Sequence, residues 1–271
     1  MPELPEARTI AGRLHAAISG ATLAEVRLRR RDMLKTGRTR DLEGLAGQVI
    51  LRVDTRGKYI VLHTLAARLV IQLGMSGRVL LLEPDPPAVP MHTHLLLRLA
   101  DQRQVLYVNT RRIASGLHVL PPGREDLGPL AALGPEATAI SAGQFIAAMR
   151  PRRRAIKTAL LDQSLLAGVG NIYSDEALAR AGIRPTRAAC GLSAERLRRL
   201  HAGLQAVLRE ALRAGGSSLA DANPYVDADG RLGEFAASHR VYGRYGQPCL
   251  TCGGTLKRAM LGGRTSTYCS R

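Results

Sequence analysis

The second residue of this chain carries its most reactive group. In Met1-Pro2-Glu3-Leu4-Pro5-Glu6 the small ring of Pro2 lets an aminopeptidase remove Met1, which would leave proline's secondary amine as the protein's first atom. A free α-amino group titrates near about 8, so part of it is unprotonated at neutral pH and able to attack an electrophilic carbon. Pro5 fits the first turn of a helix whose apolar positions Ile10, Leu14 and Ile18 recur at helical spacing, with Glu6 in the acidic-favouring first turn. The helix dipole disfavours an ammonium there, and Glu3 is placed to hold or move protons. Taken alone, the same residues read as an ordinary helix cap.

A second set of reactive residues lies at the other end. Cys249-Leu250-Thr251-Cys252 is followed by Cys269, with Gly253-Gly254 and Gly262-Gly263 as turn signals for a hairpin between them. Thiolates at this spacing point to one structural zinc ion on Cys249, Cys252 and Cys269. The fourth ligand of a paired CxxC pattern would fall one position beyond Arg271, so either the chain continues or a water or another residue completes the shell. Cys190 reads as an unrelated thiol. Between two helical stretches, Leu166-Ala167-Gly168-Val169-Gly170-Asn171-Ile172-Tyr173 allows a tight turn whose backbone N–H groups and Asn171 amide could grip a phosphate. A structural helix-turn-helix corner would read the same. His92 and His94 have metal-like spacing but no third ligand close by, so spacing alone assigns them surface or structural roles.

The elements that must position these residues change character along the chain. After the first helix come short runs rich in Val, Ile and Leu: Leu23–Leu28, Val49–Val53, Tyr59–His63, Leu69–Gln72, Arg78–Leu82, Leu95–Leu99, Gln104–Val108 and Leu117–Leu120. Gly and Pro separate them, which predicts a mainly antiparallel sandwich or barrel over residues 1–120. The breaker-rich stretch 121–136 predicts a linker. Helices are expected at Phe145–Met149, Ile156–Gln163, Tyr173–Ala181 and Ser193–Ala214, the last capped by Ser193 and ended by Gly215-Gly216. The long polar stretch to residue 234 is then a mobile or functional loop. The predicted fold is α+β and multidomain: a helix plus β-sandwich at 1–120, the linker, a helical domain at 137–234 containing the loop 215–234, and a metal-binding β-hairpin at 235–271.

Composition narrows the partner. The chain has 39 Lys+Arg against 22 Asp+Glu, a formal charge of +17, with runs such as Arg29-Arg30-Arg31 and Arg152-Arg153-Arg154. That excess exceeds what solubility requires and points to a polyanion, nucleic acid above all. No Trp and two Phe leave little for a single-strand stacking platform. No run reaches the roughly 18 apolar residues of a membrane span, and no apolar signal segment opens the chain, so a cytoplasmic protein with no membrane partner is expected.

Several of these stretches together resemble one family. MPELPE at the start, RGKY at 56–59, QLGMSGR at 72–78, LAGVGNIYSDEALARAGIRP at 166–185, VYGR at 241–244 and the CxxC followed by GGRTSTYC look like formamidopyrimidine-DNA glycosylases, in order and across nearly the full chain. The resemblance implies a monomeric base-excision repair enzyme on damaged double-stranded DNA. Such an enzyme removes oxidised purines (8-oxoguanine, formamidopyrimidines) and cleaves the abasic site by β,δ-elimination, using a β-sandwich, a helix-two-turn-helix domain and a zinc finger. It implies Pro2 as nucleophile, Glu3 as proton shuttle, Glu6 as a second essential acid, and Lys58 and Arg264 as further members of the catalytic set. The DNA contacts it implies are Met75, His92, Arg111, Arg112, Ile113, Lys157, Asn171, Tyr242 and Arg264. It further implies lesion recognition by Gly216, Ser217 and Ser218 at the mouth of the 215–234 loop.

The chain departs from the family pattern at one wedge. A base inside a duplex must be extruded and the gap filled. The family uses a methionine, an arginine and a phenylalanine; Met75 and Arg111 match, but where the family usually reads DPRRFG this chain has Asn109-Thr110-Arg111-Arg112-Ile113-Ala114. Ile113 has no aromatic face, so stacking of roughly 1–3 kcal/mol per base is lost. Gln72 also stands where a histidine is common. The altered loop leaves an oxidised-pyrimidine glycosylase as an alternative reading, and a non-catalytic damage-binding protein as another.

Overall fold

A computed structural model describes residues 2–84, 88–124, 127–220 and 224–271. Met1, expected to be removed, lies outside it, as do positions 125–126 of the expected linker and 221–223 of the expected loop. The chain divides into two compact units, Met1–Ala131 with Ala214–Glu234, and Ala132–Arg213 with Phe235–Arg271.

In the first unit, α1 (Leu4–Ile18) starts at Glu3 as N-cap, with Pro5 in the first turn and the Glu3 N–H donating to Glu6 Oε2 at 2.8 Å. Such a cap stabilises a helix by about 1 kcal/mol. Leu4, Ala7, Ile10, Ala11, Leu14 and Ile18 are all buried, the stripe that a 3.6-residue period puts on one face. Two sheets share a core with it. One has β1 (Leu23–Leu28), β7 (Thr93–Leu99), β8 (Gln104–Asn109) and β6 (Gly77–Leu82) in that order. The other runs β2 (Leu34–Thr36), β9 (Gly116–Leu120), β5 (Arg68–Gln72), β4 (Tyr59–His63) and β3 (Arg52–Arg56). All pairs are antiparallel except β2 with β9, which is parallel. β2 and the short helix α2 (Thr39–Glu43) have no counterpart in the sequence reading. The strand expected at Val49–Val53 begins at Arg52 instead; Val49 makes only an isolated bridge to Thr22, and Val49 and Leu51 stay exposed.

The second unit holds α3 (Ala142–Met149), α4 (Ile156–Leu160), α5 (Asn171–Ala181), α6 (Ala194–Arg213) and a hairpin of β10 (Lys257–Leu261) and β11 (Arg264–Tyr268). α6 packs on α3 and α5, and α5 also packs on β11. None of the described helices is long and apolar enough to cross a membrane.

The grouping differs from the predicted boundaries in three places, the first being the expected linker 121–136, which divides between the units after Ala131. Residues 214–234, expected with the helical domain, belong with the sandwich, because the Ser217 N–H bonds Glu6, Leu81 N–H bonds the Ala228 carbonyl and Arg78 donates to the Pro224 carbonyl. The cysteine hairpin, expected as a separate module at 235–271, shares a unit with the helices, through β11 against α5.

Candidate functional site

The start of α1 is unusually polar for a buried place. Glu3 and Glu6 are each 1% exposed and Pro2 is buried with them. Glu6 is held from two sides: Oε2 accepts the Glu3 N–H, and Oε1 accepts the Ser217 N–H at 2.7 Å. The Tyr225 hydroxyl donates to the Glu6 carbonyl at 3.3 Å, and burial, reinforced by Glu6 and Asp227, pushes that phenol far up, so it stays a neutral donor. Gly216 sits at φ +90°, and a Cβ there would lie 2.8 Å from Glu6 Oε1. The glycine is therefore required both by its backbone and by close approach to the carboxylate. Ser218 Oγ donates to the Tyr225 carbonyl and accepts the Gly233 N–H, closing the base of the loop. Gly216 and Ser217 thus meet Glu6 directly, with Ser218 next to them at the base of the loop.

Lys58 is half-buried in the β3–β4 turn. Val53 N–H donates to His15 Nδ1, and Arg8 and Thr55 line one cleft, so β3 packs along α1.

Met75 and Ile113, 40% and 46% exposed, stand at the tips of two adjoining loops with Arg111 and Arg112 exposed beside them. Met75 N–H donates to the Ile113 carbonyl at 3.3 Å, and a Cβ on Gly74 would lie 2.3 Å from that carbonyl oxygen. Arg112 donates to Asp32 Oδ2 at 3.1 Å, so this expected DNA contact already has a carboxylate partner. Arg30 first, then Arg112, holds the Asp32 carboxyl below the usual range. His92 is exposed at φ +64°, its carbonyl accepting the Asn109 N–H. His94 is buried, its Nε2 bonded to the Asn109 carbonyl, a structural role.

In the second unit, Lys157 departs from the expected phosphate contact. It is fully buried, with Nζ 2.6 Å from Asp175 Oδ1 and 3.5 Å from the Thr265 carbonyl. An ammonium so enclosed is committed to the interior, because stripping it from a buried carboxylate is costly. Asp175 also accepts Ser266 Oγ at 2.5 Å and the Thr267 N–H at 3.0 Å. Burial pushes its carboxyl up, against the Lys157 ammonium and these donors, which favour the carboxylate. Asn171, first residue of α5, donates from Nδ2 to the same Thr265 carbonyl at 3.1 Å, next to exposed Arg264. Glu176, fully buried, accepts the N–H groups of Arg240, Val241 and Tyr242. Sequence reasoning did not single out Asp175 and Glu176; two adjacent acids between Ile172-Tyr173 and Ala177-Leu178 on one helix are the signal that points to them.

Cys249, Cys252 and Cys269 place their sulfurs within 4.8 Å of one another, with Cys252 and Cys269 3.5 Å apart. Tetrahedral zinc with bonds of about 2.3 Å needs sulfurs about 3.8 Å apart, so the donor set fits. Backbone N–H groups of Thr251 and Cys252 pull the Cys249 thiol down to about 7, which favours the thiolate a metal requires. Cys190 is not part of this cluster.

Comparison with known proteins agrees on one family. Residues 1–115 match the formamidopyrimidine-DNA glycosylase N-terminal domain and residues 132–223 the formamidopyrimidine-DNA glycosylase H2TH domain. The formamidopyrimidine-DNA glycosylase of Cereibacter sphaeroides is 40% identical over 282 residues, covering 99% of this chain and 98% of the relative. The crystal structure of the MutM (FPG) protein of Thermus thermophilus superimposes with TM-score 0.87 at 39% identity, covering 99% of this chain and 97% of that one. A mutant Fpg of Lactococcus lactis, in complex with DNA containing Fapy-dG, gives TM-score 0.89 at 29% identity, covering 99% and 98%.

Proposed function

The chain belongs to the formamidopyrimidine-DNA glycosylase family, and from that premise we propose that it removes oxidised purines from duplex DNA and then cleaves the abasic site, through the amine of Pro2. The observation that carries this reading is the buried pair Glu3 and Glu6 at the start of α1, with Glu6 bonded to the Ser217 N–H and pressed by Gly216. A helix cap needs neither burial nor a second loop laid over it.

After loss of Met1, the Pro2 lone pair attacks C1′ and the C1′–base bond breaks, its electrons leaving with the base, which takes up a proton. The nitrogen gives up its proton and the C1′–O4′ bond then breaks, O4′ taking up a proton as the sugar ring opens, so that nitrogen and C1′ share an iminium that acidifies the C2′ proton. Glu3, one residue from the amine, accepts protons in these transfers. Loss of the C2′ proton expels the 3′ phosphate, and a second elimination expels the 5′ phosphate. Glu6 holds the Ser217 backbone at the start of α1, where a lesion base would meet it. Lys58, Asn171 and Arg264 are assigned to the DNA backbone, and Met75, Arg111 and Ile113 to the gap left by the extruded nucleotide. Cys249, Cys252 and Cys269 would hold a zinc ion, which supplies structure to the hairpin bearing Arg264 and no step of the reaction.

Borohydride should trap a covalent complex between the protein and duplex DNA containing 8-oxoguanine. Intact mass, taken in the same preparation under native and denaturing conditions, should show Met1 absent and one zinc present. Failure to trap by protein with a verified Pro2 terminus removes the reading. Faster excision of an oxidised pyrimidine than of 8-oxoguanine, opposite all four bases, would move the substrate toward the alternative that Ile113 suggests.

A further inference from the structure

We propose that Asn109 and Ser76 are positioning residues that lock Met75, Arg111 and Ile113 into one preformed wedge. The proposal rests on the reading above, in which these three side chains fill the gap in the duplex. Asn109 is fully buried, and its amide is used on both sides. Oδ1 accepts the Ser76 hydroxyl at 2.8 Å and the Arg112 N–H at 2.9 Å; Nδ2 donates to the Leu73 carbonyl at 3.2 Å and the Tyr107 hydroxyl at 2.9 Å. That is the full complement of hydrogen bonds an asparagine side chain can make. Ser76 Oγ in turn accepts the Arg111 N–H at 3.0 Å, so one hydroxyl joins the Met75 turn to the arginine loop through Asn109. The backbone of Asn109 is fixed as well, its carbonyl on His94 and its N–H on the His92 carbonyl.

The chemistry explains why an amide stands here. A carboxylate only accepts and would face the Leu73 carbonyl without a donor, whereas the amide serves acceptors and donors together. The next residue is Thr110, which lacks the fixed φ near about −65° that a proline would supply. The four amide bonds therefore hold a loop whose backbone has no such restraint. Arg112 at φ +53° and Ala114 at φ +49° lie in the left-handed region, a conformation that persists only where its surroundings enforce it.

Preorganisation matters only when there is a gap to fill, and this gives the test. Ser76→Ala and Asn109→Ala are assayed for single-turnover excision of 8-oxoguanine from duplex opposite each base, and for borohydride trapping on a single-stranded abasic oligonucleotide, which has no gap. Ser76→Ala should slow duplex excision about fivefold and Asn109→Ala about 50-fold, the scale of one and of several lost hydrogen bonds. Differences between opposite bases should shrink in both, while single-strand trapping stays within about twofold of the unsubstituted protein. Parallel loss on both substrates, or unchanged duplex excision by Ser76→Ala, overturns the proposal. Unsubstituted protein that traps neither substrate overturns the catalytic reading and the proposal with it.

Discussion

At the scale of single residues, glycine and its absence decide the geometry of both loops that would meet DNA. Gly216 is the only residue type that fits beside Glu6, since any Cβ would press the carboxylate that binds Ser217. The wedge loop shows the opposite case. Ala114 takes φ +49° where the family pattern has glycine, so its Cβ is strained against its own backbone. Ala114→Gly should relieve that strain by more than the entropy that glycine adds to the unfolded chain, raising stability by about 0.5–1 kcal/mol. Urea unfolding monitored by circular dichroism reads this as a higher midpoint at unchanged slope, and a lowered midpoint would show that Ala114 is held without strain.

At the scale of elements, a buried ionic network ties α4, α5 and the cysteine hairpin together. Lys157 comes from α4, Asp175 from α5, and Ser266 and Thr267 from β11, with Asn171 adding a bond from the start of α5 to Thr265. Asp175→Ala should cost about 3–5 kcal/mol, because it leaves the Lys157 ammonium buried without its carboxylate. Replacing both residues, Lys157→Met with Asp175→Leu, should recover most of that loss, and thermal unfolding of the two proteins compares them directly. If the single and double substitutions melt together, the pair contributes nothing as an ion pair. This network also marks how far the sequence could be read. α6 was visible because Leu197, Leu200, Leu204, Leu208 and Ala211 keep helical period on one buried face. β2 was invisible because a three-residue strand has no period, and its pairing with β9 is set by tertiary contact. Lys157 could be located on its helix from sequence, yet its burial depends on Asp175, far along the chain, which no local pattern reports. The Glu3–Glu6 cap was legible from spacing; that Ser217 closes over it was not, for the same reason.

At the scale of the whole molecule, the charge is more one-sided than its formal value. Among the described residues Glu3, Glu6, Asp175, Glu176 and Asp227 are buried, against Lys157 as the buried cation. The surface therefore carries a larger positive excess than the formal +17 of the sequence. Binding to duplex DNA should accordingly release counterions and weaken steeply with salt, by about 10³-fold or more between 50 and 200 mM if about six phosphates are contacted. The same slope separates true phosphate contacts from interior charges. Arg264→Ala should weaken binding by about tenfold for every sequence and lower the magnitude of the salt slope by about one. Lys157→Met, assayed well below its melting temperature, should leave the slope unchanged, because the Lys157 ammonium already belongs to Asp175. Fluorescence anisotropy with an abasic-analogue duplex over a series of potassium chloride concentrations measures both. A slope that falls equally in the two variants would place Lys157 on a phosphate after all and would require the buried pair to open when DNA binds.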